Sequence, residues 1–417
     1  MTVTLKIEKN VYGGDGLGRL GDGRVCFVPA VFAGETVRAE LTDQKKSFVR
    51  ARCVEVVEAS PDRIHSFGTA SPADGPVVPG MVYADVNYAA ELRFKEEQLG
   101  NFLERIGQSY MHIEVVAGRS RNYRNKVTYH LQQVNGRWLI GYRREFSHDV
   151  IDVEYDPLAC KEINDALPSI RAGVLSMLTQ GARNIRREAR ESSTVTIRWT
   201  LDDGVRWWLG KAPEGLELVE RTCGLRFNVS ADGFYQVNPE IGEKLVRAVV
   251  DAYADGVESS PDVVDLYSGV GVFGLSCVNG VRGRGLPCQP RLVGVESGRR
   301  AVAAAKVNAK TAGIAANFFC ERVGGSLQRI RISDKATVIV DPPRGGMERN
   351  VPPFLANCKA KRLFYVSCDP ATLTRDLQSL VKTYRIKRVR LFDMFPRTAR
   401  FETLVELENT VSCDNEK

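Results

Sequence analysis

VVDLYSGVGVFGLSC, residues 263–277, decides the fold. Two valines, an acid (Asp265) and a leucine run into a glycine-rich turn, and an apolar stretch follows. Strand, glycine turn and helix in that order aim backbone N–H groups at a ligand from a helix N-terminus. The alternation continues downstream. RLVGVE (291–296) reads as a strand and SGRRAVAAAKVNAKTAG (297–313) as an Ala-rich helix. KATVIVDPPRGG (335–346), KRLFYVSCDP (361–370) and TLVELE (403–408) read as further strands with helix-sized gaps between them. Short, strongly apolar strands alternating with helices predict an α/β fold with a parallel, doubly wound sheet. Its ligand loops should follow the strand C-termini. Upstream, GFYQVNPEIGEKLVRAVVDAYA (233–254) predicts a helix with Asn238 as its N-cap and Pro239 at its first position.

The N-terminal segment follows a different pattern. TVTLKIEKNV, RVCFVPAVF, ETVRAELTDQ and SFVRARCVEVVEA alternate or are rich in β-branched residues, with the Gly-rich turn YGGDGLGRLGDG between them. They predict either an OB-like barrel, a common nucleic-acid platform, or a plain β module. Residues 60–80 have loop composition, and ELRFKEEQLGNFLERIG (91–107) has helical spacing. Residues 123–230 mix strands (KVTYHLQQV, RWLIGYRR, TVTIRWTL, VRWWLG) with a helix around 161–180, an α+β pattern. The expected domains are 1–58, 59–230 and 231–417.

Composition sets bounds. The chain has 417 residues, 43% hydrophobic and 26% charged, as in ordinary globular proteins. There is no apolar run of about 18 residues to span a membrane. The start MTVTLKIEKN alternates apolar and polar residues and lacks the apolar core of a signal peptide, so a cytoplasmic location is expected. Ten cysteines are scattered with no CxxC pair, which argues against a disulfide framework and a zinc finger. Most are expected to be small buried hydrophobes, and no metal is expected. The net charge of +7 permits an anionic partner. Local Lys/Arg excess, read in the first ~60 residues and in 117–145, fits nucleic acid better than solvated faces alone.

Three loops carry the candidate chemistry. Gly269, Gly271 and Gly274 allow close backbone approach, and the next strand ends in Glu296, an acid suited to two ribose hydroxyls. NAD sites share this logic and this GxGxxG spacing. A DLYSG lead-in, with Asp265 at the strand end, is more typical of S-adenosylmethionine sites. In VDPPRGG, Asp341 ends a strand and two prolines stiffen the loop that follows. Amino-group methyltransferases place a base-stacking aromatic after those prolines, and RNA 5-methylcytosine enzymes place a cysteine there; this chain has Arg344. In YVSCDPATLTRDL (365–377), Cys368 sits where a buried strand ends and a helix begins. A thiol there is partly exposed and can be made reactive.

Together these motifs resemble the RNA uracil-5 methyltransferase family, RumA/TrmA type, over nearly the whole chain. Residues 1–58 resemble a TRAM domain through KNVYGGDGLGRLGDGRVCFVPAVFAGETV. The middle resembles the family through NYRNKVTYH and IGYRREFSHDVIDVEYDPL. FYQVN, DLYSGVG, VDPPRGG, VSCDPATLTRD and MFPRTARFE follow in family order. The resemblance implies a Rossmann-like SAM-dependent methyltransferase domain, preceded by an OB-like TRAM barrel and an α+β central domain. It implies methyl transfer from S-adenosylmethionine to C5 of a uridine in RNA, with Cys368 as the nucleophile that adds to C6. Asp369-Pro370 would shape the turn at the sulfur. Glu402 would be the base that removes the C5 proton. Gln236, Tyr267, Glu296 and Asp341, with Gly269 and Gly271, would line the cofactor site; Gln236 could instead touch the uracil edge. The target base would leave its stack. Arg344 and basic residues of the barrel are expected phosphate contacts. The expected substrate is 23S rRNA, with tRNA as the alternative, and the expected state is a monomer with no membrane association.

Two departures from the family pattern matter, and a third, at Ser268, is mild. Many relatives carry a CxxxxxCxxC cluster-binding run where this chain has HSFGTASPADGPVVPG (65–80), and a later Cys-Pro where it has Asp156-Pro157. Cys160 is nearby but alone, so no iron–sulfur cluster is expected. Arg400 stands where the family usually has His, and is expected to favour the ionised form of Glu402. Ser268 stands where many relatives have Cys. Two other readings accompany the leading one. An RNA-binding or RNA-folding protein with weakened catalysis would need neither Cys368 nor Glu402. A 5-methylcytosine enzyme would need the cysteine missing from VDPPRGG.

Overall fold

The computed structural model describes residues 1–65, 78–109, 111–144, 147–179, 194–258, 261–285 and 290–410. The chain divides into two compact units. One comprises Met1–Asn101, Arg119–Thr196 and Phe395–Phe401, the other Phe102–Gly118, Ile197–Met394 and Glu402–Lys417.

In the first unit, β1 (Thr2–Asn10), β2 (Gly16–Arg19), β3 (Val25–Val28), β4 (Thr36–Gln44) and β5 (Phe48–Glu58) close into a barrel of order β1-β2-β3-β5-β4. Alternation turns Leu5, Ile7, Cys26, Val28, Val37 and Val49 inward to form its core. The outer face corrects one expectation. Residues 1–58 carry nine Lys/Arg and eight Asp/Glu, so the basic excess read there is a single charge. Six of the nine pair with acids, including Arg38–Glu55 and Arg52–Glu40 at 2.5 Å and Arg50–Asp15 at 3.2 Å. Opposite charges facing one another across neighbouring strands stabilise the sheet and leave little field for phosphates. Residues 117–145 keep a genuine excess, seven basic residues to one acid.

Helix α1 (Tyr88–Glu104) follows the barrel, and β6 (Ile113–Val116) is taken up by the second unit. The first unit continues with the antiparallel strands β7 (Lys126–Val134), β8 (Arg137–Arg143) and β9 (Val150–Asp152), then helix α2 (Lys161–Thr179). Strand β10 (Thr194–Thr200) begins in this unit, where Thr196 meets Thr128 through their hydroxyls at 3.0 Å. Asp156, at one of the family's cluster positions, is fully buried. It accepts from the Tyr129 and Tyr142 hydroxyls at 3.0 and 2.7 Å and from Leu158 N at 2.9 Å. Cys160 is buried, and burial pushes its thiol up to about 12. A carboxylate already occupied by tyrosine and amide donors does not fit a thiolate-bound cluster. The other cluster region, 66–77, lies outside the described residues.

The second unit holds β11 (Gly204–Leu209), the hairpin β12 (Glu217–Thr222)–β13 (Leu225–Ser230) and helix α3 (Pro239–Ala254). There follow β14 (Asp262–Leu266), α4 (Val272–Gly283), β15 (Leu292–Glu296), α5 (Arg299–Thr311), β16 (Ala316–Cys320), α6 (Val323–Ser326) and β17 (Ala336–Val340). The last elements are α7 (Val351–Asn357), β18 (Arg362–Ser367), α8 (Pro370–Leu380), β19 (Tyr384–Phe392) and β20 (Glu402–Asn409). One eight-stranded sheet has the order β16-β15-β14-β17-β18-β20-β19-β6.

The expected parallel sheet is present from β16 to β18. Beyond it, β20 runs antiparallel to both β18 and β19. Only residues 393–401 join β19 to β20, too few for a helical crossover, so the chain returns antiparallel. Strand β6, from the stretch read as the middle domain, pairs parallel with β19 at the sheet edge.

Candidate active site

The quoted stretch folds as β14, a turn and α4. Tyr267, Gly269 and Gly271 all have positive φ, at 63°, 53° and 87°. At Gly271 a Cβ would also lie 2.9 Å from Leu275 Cδ1, so only glycine suits that position. Asn308 on α5 supports the turn by donating to Val270 O at 3.1 Å. Glu296, at the end of β15, accepts from Gly269 N at 3.2 Å and from Gly298 N at 2.6 Å. Asp265 is fully buried and accepts from Gly274 N at 2.9 Å through Oδ2. Its Oδ1 and the buried Ser268 Oγ have no hydrogen-bond partner among the described residues. Burial pushes the Asp265 carboxyl up to about 7; the Gly274 bond opposes the rise and the Glu296 charge adds to it.

Strand register brings together two residues far apart in sequence. Ser367 on β18 pairs with Thr403 on β20. One step further along each strand stand Cys368 and Glu402. The Asp369 side chain caps α8 by accepting from Ala371 N and Thr372 N at 3.0 and 3.1 Å, with Pro370 at the first helical position. The turn therefore ends β18 with Cys368 partly exposed. Glu402 is only 4% exposed, not the surface carboxylate its context suggests.

The electrostatics raise the pKa of both groups. Burial first, then the charges of Glu402 and Asp341, push the Cys368 thiol up to about 12, with Arg344 opposing. Burial and Asp341 lift Glu402 well above the usual carboxyl range, again against Arg344. Asp341 keeps part of its surface exposed, yet its carboxyl is enclosed by protein. That enclosure and the Asp265 charge raise it to about 7. Arg344 is a cation acting on Glu402. Arg400 donates to Tyr12 Oη at 2.6 Å and lies over that ring at 5.2 Å, within the first unit.

The remaining sequence candidates are placed as follows. Gln236 packs its Cβ against the first turn of α3, where a Cβ on Gly242 would come within 3.0 Å. Asn238 caps that helix by accepting from Ile241 N at 3.3 Å, and donates to Met394 O at 3.2 Å. Tyr267 donates its hydroxyl to Glu348, and burial with that carboxylate pushes its pKa up.

The family model for tRNA (Uracil-5-)-methyltransferase matches residues 212–410, and the TRAM domain model matches 1–54. An uncharacterized RNA methyltransferase of Thermosynechococcus vestitus is 30% identical, covering 97% of this chain and 98% of its own. This chain belongs to the RNA uracil-5 methyltransferase family. The enzyme is also 30% identical to an uncharacterized RNA methyltransferase of Aquifex aeolicus, over 97% of this chain and 98% of that protein. Its fold matches the crystal structure of Pyrococcus abyssi tRNA (uracil-54, C5)-methyltransferase in complex with S-adenosyl-L-homocysteine. The TM-score is 0.71 at 22% identity, covering 97% of this chain and 100% of that one.

The methyltransferase uses S-adenosylmethionine, and its own residues fit that group. Asp265, Glu296 and Asp341 converge without a cation among the charges acting on Asp265 and Asp341. The donor is a cationic sulfonium with polar ribose and amino-acid ends. Asp265 Oδ1 and Ser268 Oγ are orphaned polar atoms at the same turn. Among the described residues no group of three or more His, Cys, Asp or Glu is arranged to hold a metal, and no helix is long and apolar enough to cross a membrane.

Three side chains escaped the sequence reading. Glu348 holds Tyr267, Asp376 binds the segment after VDPPRGG, and Phe234 lies 75% exposed two residues before Gln236. Phe234 carried a readable signal, an aromatic inside the FYQVN motif. Glu348 and Asp376 carried none, because their partners are set by the tertiary fold.

Proposed function

We propose that the enzyme methylates C5 of a specific uridine in structured RNA through a covalent bond between Cys368 and uracil C6. The observation that carries the reading is the β18–β20 register, which sets a partly exposed cysteine beside a buried glutamate. Uracil C5 is a weak nucleophile. When the Cys368 thiolate adds to C6, the pair of electrons moves to C5, which becomes enolate-like. S-adenosylmethionine, when bound, would supply the electrophilic methyl group that C5 takes, with neutral S-adenosylhomocysteine as the by-product. Glu402, as the carboxylate, then takes the C5 proton, the C5=C6 double bond re-forms and the sulfur departs.

Only the thiolate is nucleophilic, and the free enzyme holds the thiol. Glu402 and Asp341 are its main charged opponents, so a cation entering among the carboxylates lowers the cost of forming the thiolate. Asp341, Glu296, Tyr267 and the glycines Gly269 and Gly271 hold the donor in this reading. Gln236 faces either the donor or the base. Exposed Phe234 offers a stacking surface for a base out of its helix.

The favoured substrate is 23S rRNA, on the strength of the N-terminal barrel and the overall motif pattern. A tRNA substrate is the second reading. It is favoured by the likeness, along essentially both chains, to a methyltransferase whose name specifies uracil-54 of tRNA. The enzyme acts as a monomer in the cytoplasm in either case. Labelled S-adenosylmethionine, offered with unmodified 23S rRNA, 16S rRNA and tRNA separately, tests this. Digestion to nucleosides should give labelled 5-methyluridine from one RNA. Label in 5-methylcytidine, or cofactor binding with no labelled RNA, would sink the reading.

A further inference from the structure

Helix α8 begins just after Cys368 and also grips a second loop. Thr372, Arg375 and Asp376 stand four, seven and eight residues beyond the cysteine, on one helical face. Thr372 Oγ1 donates to Arg344 O at 3.2 Å. Asp376 is 2% exposed, and its Oδ2 accepts from Met347 N at 2.8 Å and from Tyr365 Oη on β18 at 2.7 Å. Its Oδ1 accepts from Arg375 Nε at 2.8 Å, and Arg375 Nη2 donates to Met347 O at 3.2 Å. Gly346 turns here with φ of +74°. A Cβ on it would lie 2.4 Å from Arg375 Nη2 and 2.8 Å from Asp376 Oδ2, so the loop backbone is pressed directly onto the pair. The loop end and the nucleophile's helix therefore move as one piece. Arg344, between the prolines and this knot, is a cation that acts on the sulfur, against the anions Glu402, Asp341 and Asp369.

We propose that Thr372, Arg375 and Asp376 are positioning residues that clamp segment 344–347 to helix α8, so that Arg344 keeps a fixed place beside Cys368. The proposal rests on Cys368 being the nucleophile. Asp376→Asn keeps the shape but leaves Met347 N and the Tyr365 hydroxyl competing for fewer acceptor sites. A small displacement of a charged group near a reacting atom costs on the order of 10–100-fold in rate. The experiment is a double-mutant cycle on kcat with Asp376→Asn, Arg344→Ala and the combination. S-adenosylhomocysteine affinity is measured by calorimetry alongside.

Asp376→Asn is expected to lower kcat by about 10–100-fold and to move the alkaline requirement of kcat/KM upward, as Arg344→Ala should. In the Arg344→Ala background its further cost should fall below about threefold. Independent, multiplying losses, or an unmoved pH profile, overturn the clamp. If Asp376→Asn melts early, Thr372→Val, which removes the bond to Arg344 O, takes its place in the same cycle with the same criterion. Cys368→Ala serves as the control. An active Cys368→Ala enzyme refutes the nucleophile, whereas an inactive one with a multiplicative cycle refutes the clamp alone.

Discussion

Cys368 and Glu402 are 34 residues apart in the chain and neighbours by register. Cys368→Ala should abolish methyl transfer while S-adenosylhomocysteine still binds in calorimetry; near-normal turnover rejects the nucleophile. Glu402→Gln should stall the enzyme after methyl transfer. An RNA–protein adduct that survives SDS should then accumulate, and normal turnover without it places the base elsewhere. Cys368 is held as a thiol up to about 12, and Glu402 is also lifted by burial. In the proposed mechanism Cys368 must lose its proton before methyl transfer, and Glu402 acts only after that step. kcat/KM should therefore follow the thiol and climb about tenfold per pH unit between roughly pH 6 and 8. A flat profile contradicts this arrangement. Both residues were singled out from their motifs. The burial of Glu402 was not legible, because a glutamate opening a strand looks like a surface residue until the partner strands are known.

Strand ends concentrate the unusual carboxyls. Asp265 closes the β14 core and Asp341 follows β17, and each carboxyl is raised to about 7. Unfolded aspartate titrates near ~3.9. A raised folded value means stabilisation that is complete below about pH 4 and lost as pH rises through about 7. Asp265→Asn removes that titration. Without cofactor, its melting temperature relative to wild type should therefore improve from about pH 4 to about 7 and then level off. A difference that stays constant means that Asp265 is ionised throughout. The strands β14 to β18 were readable from sequence because each is a short apolar run bounded by turn residues. The direction of β20 was not, since TLVELE reads the same either way and the short return through 393–401 sets the orientation. β6 escaped notice because four residues give too little pattern.

At the level of the whole molecule, charge is unevenly useful. The barrel's basic residues are mostly tied to acids, whereas 117–145 has seven cations to one anion, with Arg143 and Arg144 exposed on the first unit. Charge reversal at Arg143 and Arg144 should weaken RNA binding and flatten its salt dependence by about one to two units of slope. Reversal of Arg38 and Arg52 on the barrel should do much less. Filter binding across a salt series distinguishes them, and equal effects contradict the assignment. The barrel fold was legible from alternation, but its near-neutrality needed the acids to be counted and placed beside the bases. The late position of β20 also bears on biogenesis. This strand lies between β18 and β19, so the ribosome makes both flanking strands before the one that joins them. Until residues 402–409 clear the exit tunnel, Cys368 has no Glu402 beside it and two strand edges wait unpaired. Chains broken off before that point carry the preceding motifs yet lack Glu402, so cells synthesising this protein pass through a stage at which its catalytic unit is sticky and, on the proposed mechanism, inert.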